Sequence, residues 1–191
     1  PAVAGLLAGV LIAATVVPAH GAGQDATGGD DAVVGPANGG FEEPMVDGAV
    51  PGWTARGGGD LVATVVTDPV YAGAQAASLV DPDDDFSAGL MSDTMPVVAG
   101  DSYQLSMQVY VREGHPTGYV YFYDDAGSQL DVEWKHFDAL PADTWGEAVL
   151  DVTAPAGATR AAVYVYSSIA RVSDLVVDEV TLTRTHGPLA V

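Results

Sequence analysis

Five of the eight tyrosines in this 191-residue chain lie in two short segments where tyrosine alternates with an apolar residue. The first segment alternates with Val120 and Phe122, and the second with Val163 and Val165. Successive side chains of a β-strand point to opposite faces, so core-facing aliphatic residues would leave the tyrosines together outside. Phenol rings grouped in this way can stack on the apolar faces of sugar rings. The five candidate binding residues are Tyr119, Tyr121, Tyr123, Tyr164 and Tyr166.

A third strand pattern, over residues 103–111, supplies polar candidates. Gln108, Tyr110 and Arg112 occur on the polar side of that alternation. If the three strands are neighbours in one sheet, we expect a tyrosine-lined groove with amide and guanidinium groups at its edge. Trp134 lies in the charged segment 131–136, where it would either stack on a ligand from a rim loop or be partly buried. The alternative for all tyrosines is an ordinary sheet surface of cross-strand pairs without a ligand.

The charge composition excludes several classes of partner. Six basic side chains are present against 26 acidic ones, and the net charge is −20. A chain with so few cations lacks the means to neutralise nucleic-acid phosphates or to bind an anionic membrane surface. The absence of cysteine excludes disulfides and thiol chemistry. The four histidines are isolated and no hydrolase motif is present, so we expect an accessory module rather than an independent enzyme.

Short strand patterns separated by turn signals continue from residue 38 almost to the C-terminus. Turn residues fall at positions 99–101, 113–116, 124–127 and 155–157, and no segment shows a sustained helical period. The sequence therefore predicts an all-β domain over residues 38–184. Its strands should form a two-sheet antiparallel β-sandwich of the jelly-roll type. The isolated Trp53 and Trp145 are expected to be structural.

The N-terminal segment has the composition of an export signal. The first 24 residues contain no Asp, Glu, Lys or Arg, and residues 3–17 are almost entirely apolar. We expect residues 1–22 to be a signal peptide that lacks its start and residues 23–37 to be a flexible linker. The alternative for the apolar segment is a membrane anchor. Residues 185–191 would be a tail or the start of a further linker. These features predict a secreted or cell-surface protein without membrane contact after signal cleavage.

A family resemblance covers residues 38–183. The segments that carry it are 38–42 (NGGFE), 51–53 (PGW), Gly73 with 78–79 (SL), 98–106 (VAGDSYQLS), Trp145 and 177–182 (VDEVTL). In this order they resemble the jelly-roll carbohydrate-binding modules attached to xylanases and other secreted polysaccharide-degrading enzymes. The resemblance implies a galactose-binding-like sandwich with a concave face or loop tips of the kind that hold sugar. It does not by itself imply that this domain binds sugar, but we expect a polysaccharide or oligosaccharide as its partner and a covalently linked catalytic domain. A structural or adhesive surface domain is the alternative, because a fold alone does not determine function.

The same resemblance implies a structural Ca²⁺. Glu42 and Asp178 occupy positions that, in the resembled modules, join the N- and C-terminal parts of the domain through this ion. Asp68 is a candidate third carboxylate, and the Tyr71 carbonyl a candidate fourth ligand. Calcium takes six to eight oxygen ligands of these kinds. The neighbouring acids Glu43 and Glu179 leave open which member of each pair turns inward, and the alternative is that all are surface acids.

Overall fold

A computed structural model describes residues 32–58, 61–84, 88–167 and 172–186. The predicted signal peptide and residues 23–31 of the predicted linker lie outside the described residues. Within the described segments there is no helix long and apolar enough to cross a membrane.

The described residues form twelve β-strands and no helix, which confirms the all-β prediction. In chain order they are β1 (Ala32–Gly35), β2 (Trp53–Gly57), β3 (Val62–Val66), β4 (Ala76–Asp81), β5 (Ala88–Ser92), β6 (Met95–Pro96), β7 (Ser102–Glu113), β8 (Pro116–Tyr123), β9 (Gln129–His136), β10 (Trp145–Thr153), β11 (Arg160–Ser167) and β12 (Ser173–His186).

These strands form two antiparallel sheets. The β7 sheet has the strand order β10-β7-β12-β4-β3, with β1 also paired to β12. The β8 sheet has the order β2-β5-β11-β8-β9, with β6 also paired to β11. Strands adjacent in the sequence often lie in different sheets. For example, β7 and β8 are joined by a short turn yet belong to opposite sheets. The predicted two-sheet sandwich is confirmed.

Alternating side chains from both sheets fill one core. Along β7 the residues alternate strictly, with the apolar members from Tyr103 to Val111 buried. In β8, Val120 and Phe122 are completely buried, and in β11 Val163 and Val165 are at most 1% exposed. The inward direction predicted for these aliphatic residues is therefore confirmed, and the intervening tyrosines lie on the outer face.

Two strands extend beyond predicted boundaries of the domain. The predicted linker extended to residue 37, but residues 32–35 form β1, which pairs with β12 through Val33 and Thr183. Its neighbour Val34 packs against the core, so this part of a Gly- and Ala-rich segment gains an apolar contact and a strand partner. The predicted tail began at residue 185, but β12 continues to His186, opposite Ser102 of β7.

Trp53 anchors the segment that precedes β2. It is 4% exposed, its ring lies 5.2 Å from that of Phe41, and its indole N–H donates to the Asn38 carbonyl at 3.1 Å. The Asn38 side chain in turn donates to the Pro51 carbonyl at 2.9 Å. A buried tryptophan with its N–H satisfied is a structural residue, as expected from the sequence.

Candidate functional site

Six aromatic side chains lie together on the outer face of the β8 sheet, and we call this surface the tyrosine face. Strand register explains the grouping, since Tyr119 of β8 lies opposite both Tyr164 of β11 and Trp134 of β9. Beneath them, Met91 and Ala162 form the buried floor of the cluster. Its members are Tyr119, Tyr121, Tyr123, Trp134, Tyr164 and Tyr166.

The rings of the tyrosine face form a continuous aromatic surface. Along β8 the centroids of Tyr119 and Tyr121 are 5.9 Å apart and those of Tyr121 and Tyr123 are 6.4 Å apart, with planes inclined by 22° and 18°. The Trp134 ring lies 6.1 Å from Tyr119 at 30°. The Tyr166 ring, in contrast, meets Tyr119 edge-on at 5.4 Å and 79°. The face thus combines a nearly parallel row with a tilted second row.

Burial makes four of the tyrosine hydroxyl groups on this face harder to ionise. Burial raises the pKa of Tyr119, Tyr121 and Tyr123, with a smaller contribution in the same direction from neighbouring tyrosines. Burial raises the pKa of Tyr164 further, because this residue is 8% exposed at the centre of the cluster. Its hydroxyl donates to the Arg56 carbonyl at 3.2 Å. The surface therefore presents neutral groups that can donate and accept hydrogen bonds.

Trp134 belongs to this face but was assigned to the wrong kind of segment. It lies within β9 rather than in a rim loop, and it is 51% exposed. Its ring also contacts His136 at 4.9 Å, and the His136 Nδ1 lies 2.7 Å from the Thr117 hydroxyl. The indole is therefore held on a strand at the edge of the sheet, with one side open to solvent.

Gln108, Tyr110 and Arg112 do not belong to the tyrosine face. They lie on β7, which pairs with β10 and β12 in the other sheet, so the expected groove of three neighbouring strands does not form. Alternation had indicated their side of the strand correctly, but it carries no information about which sheet contains the strand. The Tyr110 ring packs edge-on against Trp145 at 5.6 Å, and Arg112 forms a 3.1 Å salt bridge with Asp174.

The structure adds binding candidates that the sequence analysis missed. A pocket of about 370 Å³ adjoins the tyrosine face and is lined by residues that include Arg56, Asp93, Tyr123 and Arg160. Arg56 lies in a short strand whose other residues are mostly exposed, so no alternating pattern marked it. The sequence feature that could have identified Arg56 and Arg160 is the rarity of basic residues in a chain of net charge −20.

Two of the three predicted calcium ligands lie at one loop. The Asp178 carboxylate accepts the backbone N–H groups of Tyr71 and Ala72 at 3.0 and 3.1 Å. The Glu42 carboxylate accepts those of Ala74 and Gln75 at 2.9 and 3.1 Å. Residues 71–75 are therefore fixed between the N-terminal segment and β12. These contacts place Glu42 and Asp178 at the same loop.

Two of the three predicted carboxylates lie at this loop, and one of them is completely buried. Asp178 is completely buried, and burial together with the nearby Glu42 charge raises its pKa despite the backbone N–H groups that act oppositely. Within the described segments no three acidic or histidine side chains form a group that could hold a metal, so Asp68 does not complete the predicted set. Gly73 is required sterically, since a Cβ there would overlap the Glu42 carboxylate.

Several solved structures share the fold. The enzymatically active domain of tailspike protein 4 from bacteriophage CBA120 matches with a TM-score of 0.63 at 18% identity, covering 77% of this chain and 21% of that one. The CBM22-1 xylan-binding domain of Paenibacillus barcinonensis Xyn10C matches with a TM-score of 0.53 at 17% identity, covering 78% and 92%. The CBM22-1-GH10 modules of Clostridium thermocellum xylanase 10B, complexed with xylohexaose, match with a TM-score of 0.53 at 21% identity, covering 70% and 26%.

At these identities the structures show a common fold. The chain spans about a fifth of the tailspike structure and about a quarter of the xylanase structure. A search among curated protein sequences finds no match. The family assignment comes from the sequence itself, because residues 37–173 match the model of the carbohydrate binding domain. This match covers most of the chain, which therefore belongs to the carbohydrate-binding domain family.

Proposed function

We propose that this domain binds a polysaccharide or oligosaccharide along its tyrosine face. As a member of its family, the domain is a non-catalytic carbohydrate-binding module. The observation that carries the location is the continuous cluster of six aromatic rings on the outer face of the β8 sheet. Sugar rings expose C–H faces that stack on aromatic side chains, while hydroxyl groups at the edges bond to polar partners.

The hydroxyl groups support this choice over an ordinary sheet surface. Among the described residues, the hydroxyls of Tyr119, Tyr121 and Tyr123 donate to no protein group, whereas that of the core residue Tyr103 bonds the Val98 N–H at 2.7 Å. Contiguous aromatic surface with unused hydrogen-bonding groups is typical of a binding site. A purely structural cluster would have no need to keep these groups available to a ligand.

Alanine substitution on the tyrosine face tests the site. We expect Tyr121→Ala and Tyr166→Ala to reduce retention on insoluble polysaccharide while the unfolding temperature shows that the fold persists. Tyr110→Ala is the matched control, because Tyr110 is an outward tyrosine of the other sheet. If both variants were retained as well as the wild-type domain, the binding site would lie elsewhere. If the wild-type domain bound no member of a broad glycan panel, the structural or adhesive alternative would replace this proposal.

We also propose that the domain directs an attached polysaccharide-degrading enzyme in a secreted protein. The apolar N-terminal segment supports export, and the Clostridium thermocellum structure joins a module of the same fold to a GH10 module. N-terminal sequencing of the exported protein tests the first part, with a start near residue 23 expected. The neighbouring coding sequence tests the second, and a gene without any catalytic domain would contradict it.

A structural Ca²⁺ is the remaining part of the proposal. Glu42 and Asp178 fit a hard cation in charge and donor type, since both carboxylates are held at residues 71–75. Burial, with a smaller contribution from the Glu42 charge, raises the pKa of Asp178. They would supply the carboxylate ligands, and backbone carbonyls and water would complete the coordination. A bound cation would neutralise the repulsion and join the N-terminal segment to β12.

A further inference from the structure

Among the described residues of this strongly acidic protein, two arginines form no salt bridge with a carboxylate. In the described part of the chain, Arg112 and Arg184 each form a salt bridge with an aspartate. Arg56 and Arg160 form none, although the sequence contains 26 acidic side chains. In a chain where acids outnumber bases about fourfold, unpaired guanidinium groups are unexpected on electrostatic grounds.

Both unpaired arginines line the same pocket. It has a volume of about 370 Å³ and opens beside Tyr123 at the end of the tyrosine face. Ala162 and Met91, which form part of the floor of the tyrosine face, also line it, so the two surfaces are continuous. Asp93 is the single carboxylate among the lining residues, which leaves the pocket with an excess of positive charge.

The Arg160 guanidinium is held in place and still has an unused donor. Its Nη2 donates to the carbonyls of Asp124 and Asp125 at 3.0 and 2.8 Å, which fixes the group against the turn between β8 and β9. Its Nε is buried and has no hydrogen-bond partner. A buried N–H without a partner costs free energy, so such a group commonly awaits a water molecule or a ligand.

Arg56 extends the positive charge over the tyrosines. Its side chain is exposed, belongs to β2 and lines the pocket. Burial raises the pKa of Tyr121 and Tyr123, and the Arg56 charge acts on both hydroxyls in the opposite direction. A sugar chain on the tyrosine face would therefore bring its substituents within reach of this guanidinium.

We propose that the pocket formed by Arg56 and Arg160 binds the carboxylate of a uronic acid residue in an acidic polysaccharide, while adjacent sugar rings occupy the tyrosine face. This inference rests on the proposed function and specifies its substrate class. A guanidinium is planar and offers parallel N–H donors that match a carboxylate, and such charge-assisted bonds are about twice as strong as neutral ones. Neutral sugars would use the same tyrosine face without this contribution.

The overall negative charge does not prevent such local recognition. At physiological ionic strength the Debye length is about 8 Å, so distant surface acids are screened at the pocket. Within it two guanidinium groups oppose the single Asp93 carboxylate. The distant charges would slow the approach of a polyanion, whereas the bound carboxylate would be stabilised by its direct contacts.

The test compares each acidic polysaccharide with its own neutral derivative. Glucuronoxylan and polygalacturonate are used before and after chemical reduction of their carboxyl groups, which leaves linkage and backbone unchanged. At one fixed ionic strength, we expect the wild-type domain to bind at least one unreduced polymer about tenfold more tightly than its reduced form. Equal binding of both forms of every polymer would overturn the inference.

Arg56→Gln assigns that preference to the pocket. We expect this variant to lose the preference, so that the ratio of its affinities for the unreduced and reduced polymers falls to about one. Arg112→Gln, which removes an arginine from the other sheet, is the control and should keep the wild-type preference. A preference that survives Arg56→Gln, or an equal gain on sulfated dextran over dextran, would overturn the carboxylate assignment. Failure to bind either form of both polymers, with binding to another glycan of the broad panel, would overturn this inference alone, whereas failure on the whole panel would refute the proposed function.

Discussion

The outer faces of the two sheets follow the same alternation but present different surfaces. On the β7 sheet, polar side chains satisfy one another, as in the 2.9 Å bond from Gln104 to Asp151 and the 3.0 Å bond from Ser106 to Glu147. On the β8 sheet, tyrosine rings pack on one another, and most of their hydroxyls have no partner among the described residues. On the outer face of the β7 sheet these polar groups bond to one another, whereas on the β8 sheet most tyrosine hydroxyl groups remain available to a ligand.

This difference shows that a binding surface is recognised by what it leaves unpaired. Tyr110 on the β7 sheet is also an outward tyrosine, but its ring packs against Trp145 and the Arg112 guanidinium lies 5.9 Å from its centre. Residue type and strand parity are therefore the same on both faces. The discriminating features are the continuity of the aromatic surface and the availability of its hydrogen-bonding groups.

The largest expected effect separates the two sides of β8. Phe122→Ala removes a completely buried ring from the core and should lower the free energy of unfolding by about 3–5 kcal/mol. Tyr121→Ala, one position away on the outer side, should cost less than half as much because its ring is only partly buried. Denaturant unfolding measures both. Equal losses would show that the tyrosine face is a second structural core.

Removal of Ca²⁺ is the next effect in size. If the ion is present at about 100 times its dissociation constant, chelation should lower stability by about 2.7 kcal/mol. Because the pKa of Asp178 is raised by burial and by Glu42, ionisation of this carboxyl destabilises the ion-free fold as the pH rises through that pKa. The difference in melting temperature with and without chelator should therefore be larger at pH 7 than near pH 4.

Glu42→Gln provides the control for this ion. The variant removes one of the two carboxylates at residues 71–75, so its melting temperature should respond little to chelation. Asp138→Asn is the matched control, since Asp138 lies elsewhere on the surface and contacts His115. A wild-type melting temperature that is insensitive to chelation at every pH would show that the backbone N–H groups alone stabilise the two carboxylates.

Within the tyrosine face, central and terminal rings should differ in their contribution to glycan affinity. Tyr119 contacts the rings of Tyr121, Trp134, Tyr164 and Tyr166, whereas Tyr123 contacts that of Tyr121. We expect Tyr119→Ala to weaken binding by about 2 kcal/mol, roughly 30-fold, as for a central hot spot. Tyr123→Ala should cost less than about 1 kcal/mol on a neutral glycan. Affinity electrophoresis would measure both losses of affinity. A larger loss for Tyr123→Ala than for Tyr119→Ala would indicate that the ligand lies closer to the Arg56 pocket.

Alternation could predict the side of each strand but not its neighbours. In segment 119–123 the apolar residues Val120 and Phe122 had to enter the core, so the sequence predicted that the alternating tyrosines lie on the outer face. The pairing of β7 with β12 rather than β8 joins residues some 70 positions apart, and it depends on how the two layers fill a common core. No periodicity in a single strand contains that information, so alternation could not show that Gln108 and Arg112 lie in a different sheet from the tyrosines.

Edge strands were the other limit of prediction. Most residues of β9 are exposed on both faces, so its sequence has no buried apolar set and resembles a charged loop. Trp134 was accordingly expected in a loop. β1 has only four residues and is half-exposed, and it was assigned to the linker. A strand that buries neither face is stabilised mainly by hydrogen bonds to its neighbouring strand. Local composition does not reveal which strand that neighbour is.

The smallest effect concerns an ion pair on the satisfied face. Arg112 and Asp174 are each about one-third exposed, so solvent and salt screen the attraction between them. A double-mutant cycle with Arg112→Gln and Asp174→Asn should give a coupling of about 0.2–1 kcal/mol that decreases at high salt. Neither variant should change glycan retention, because both residues belong to the β7 sheet. Loss of retention in either one would show that the face with internally paired groups also contacts the ligand, and the contrast between the two sheets would no longer define the binding site.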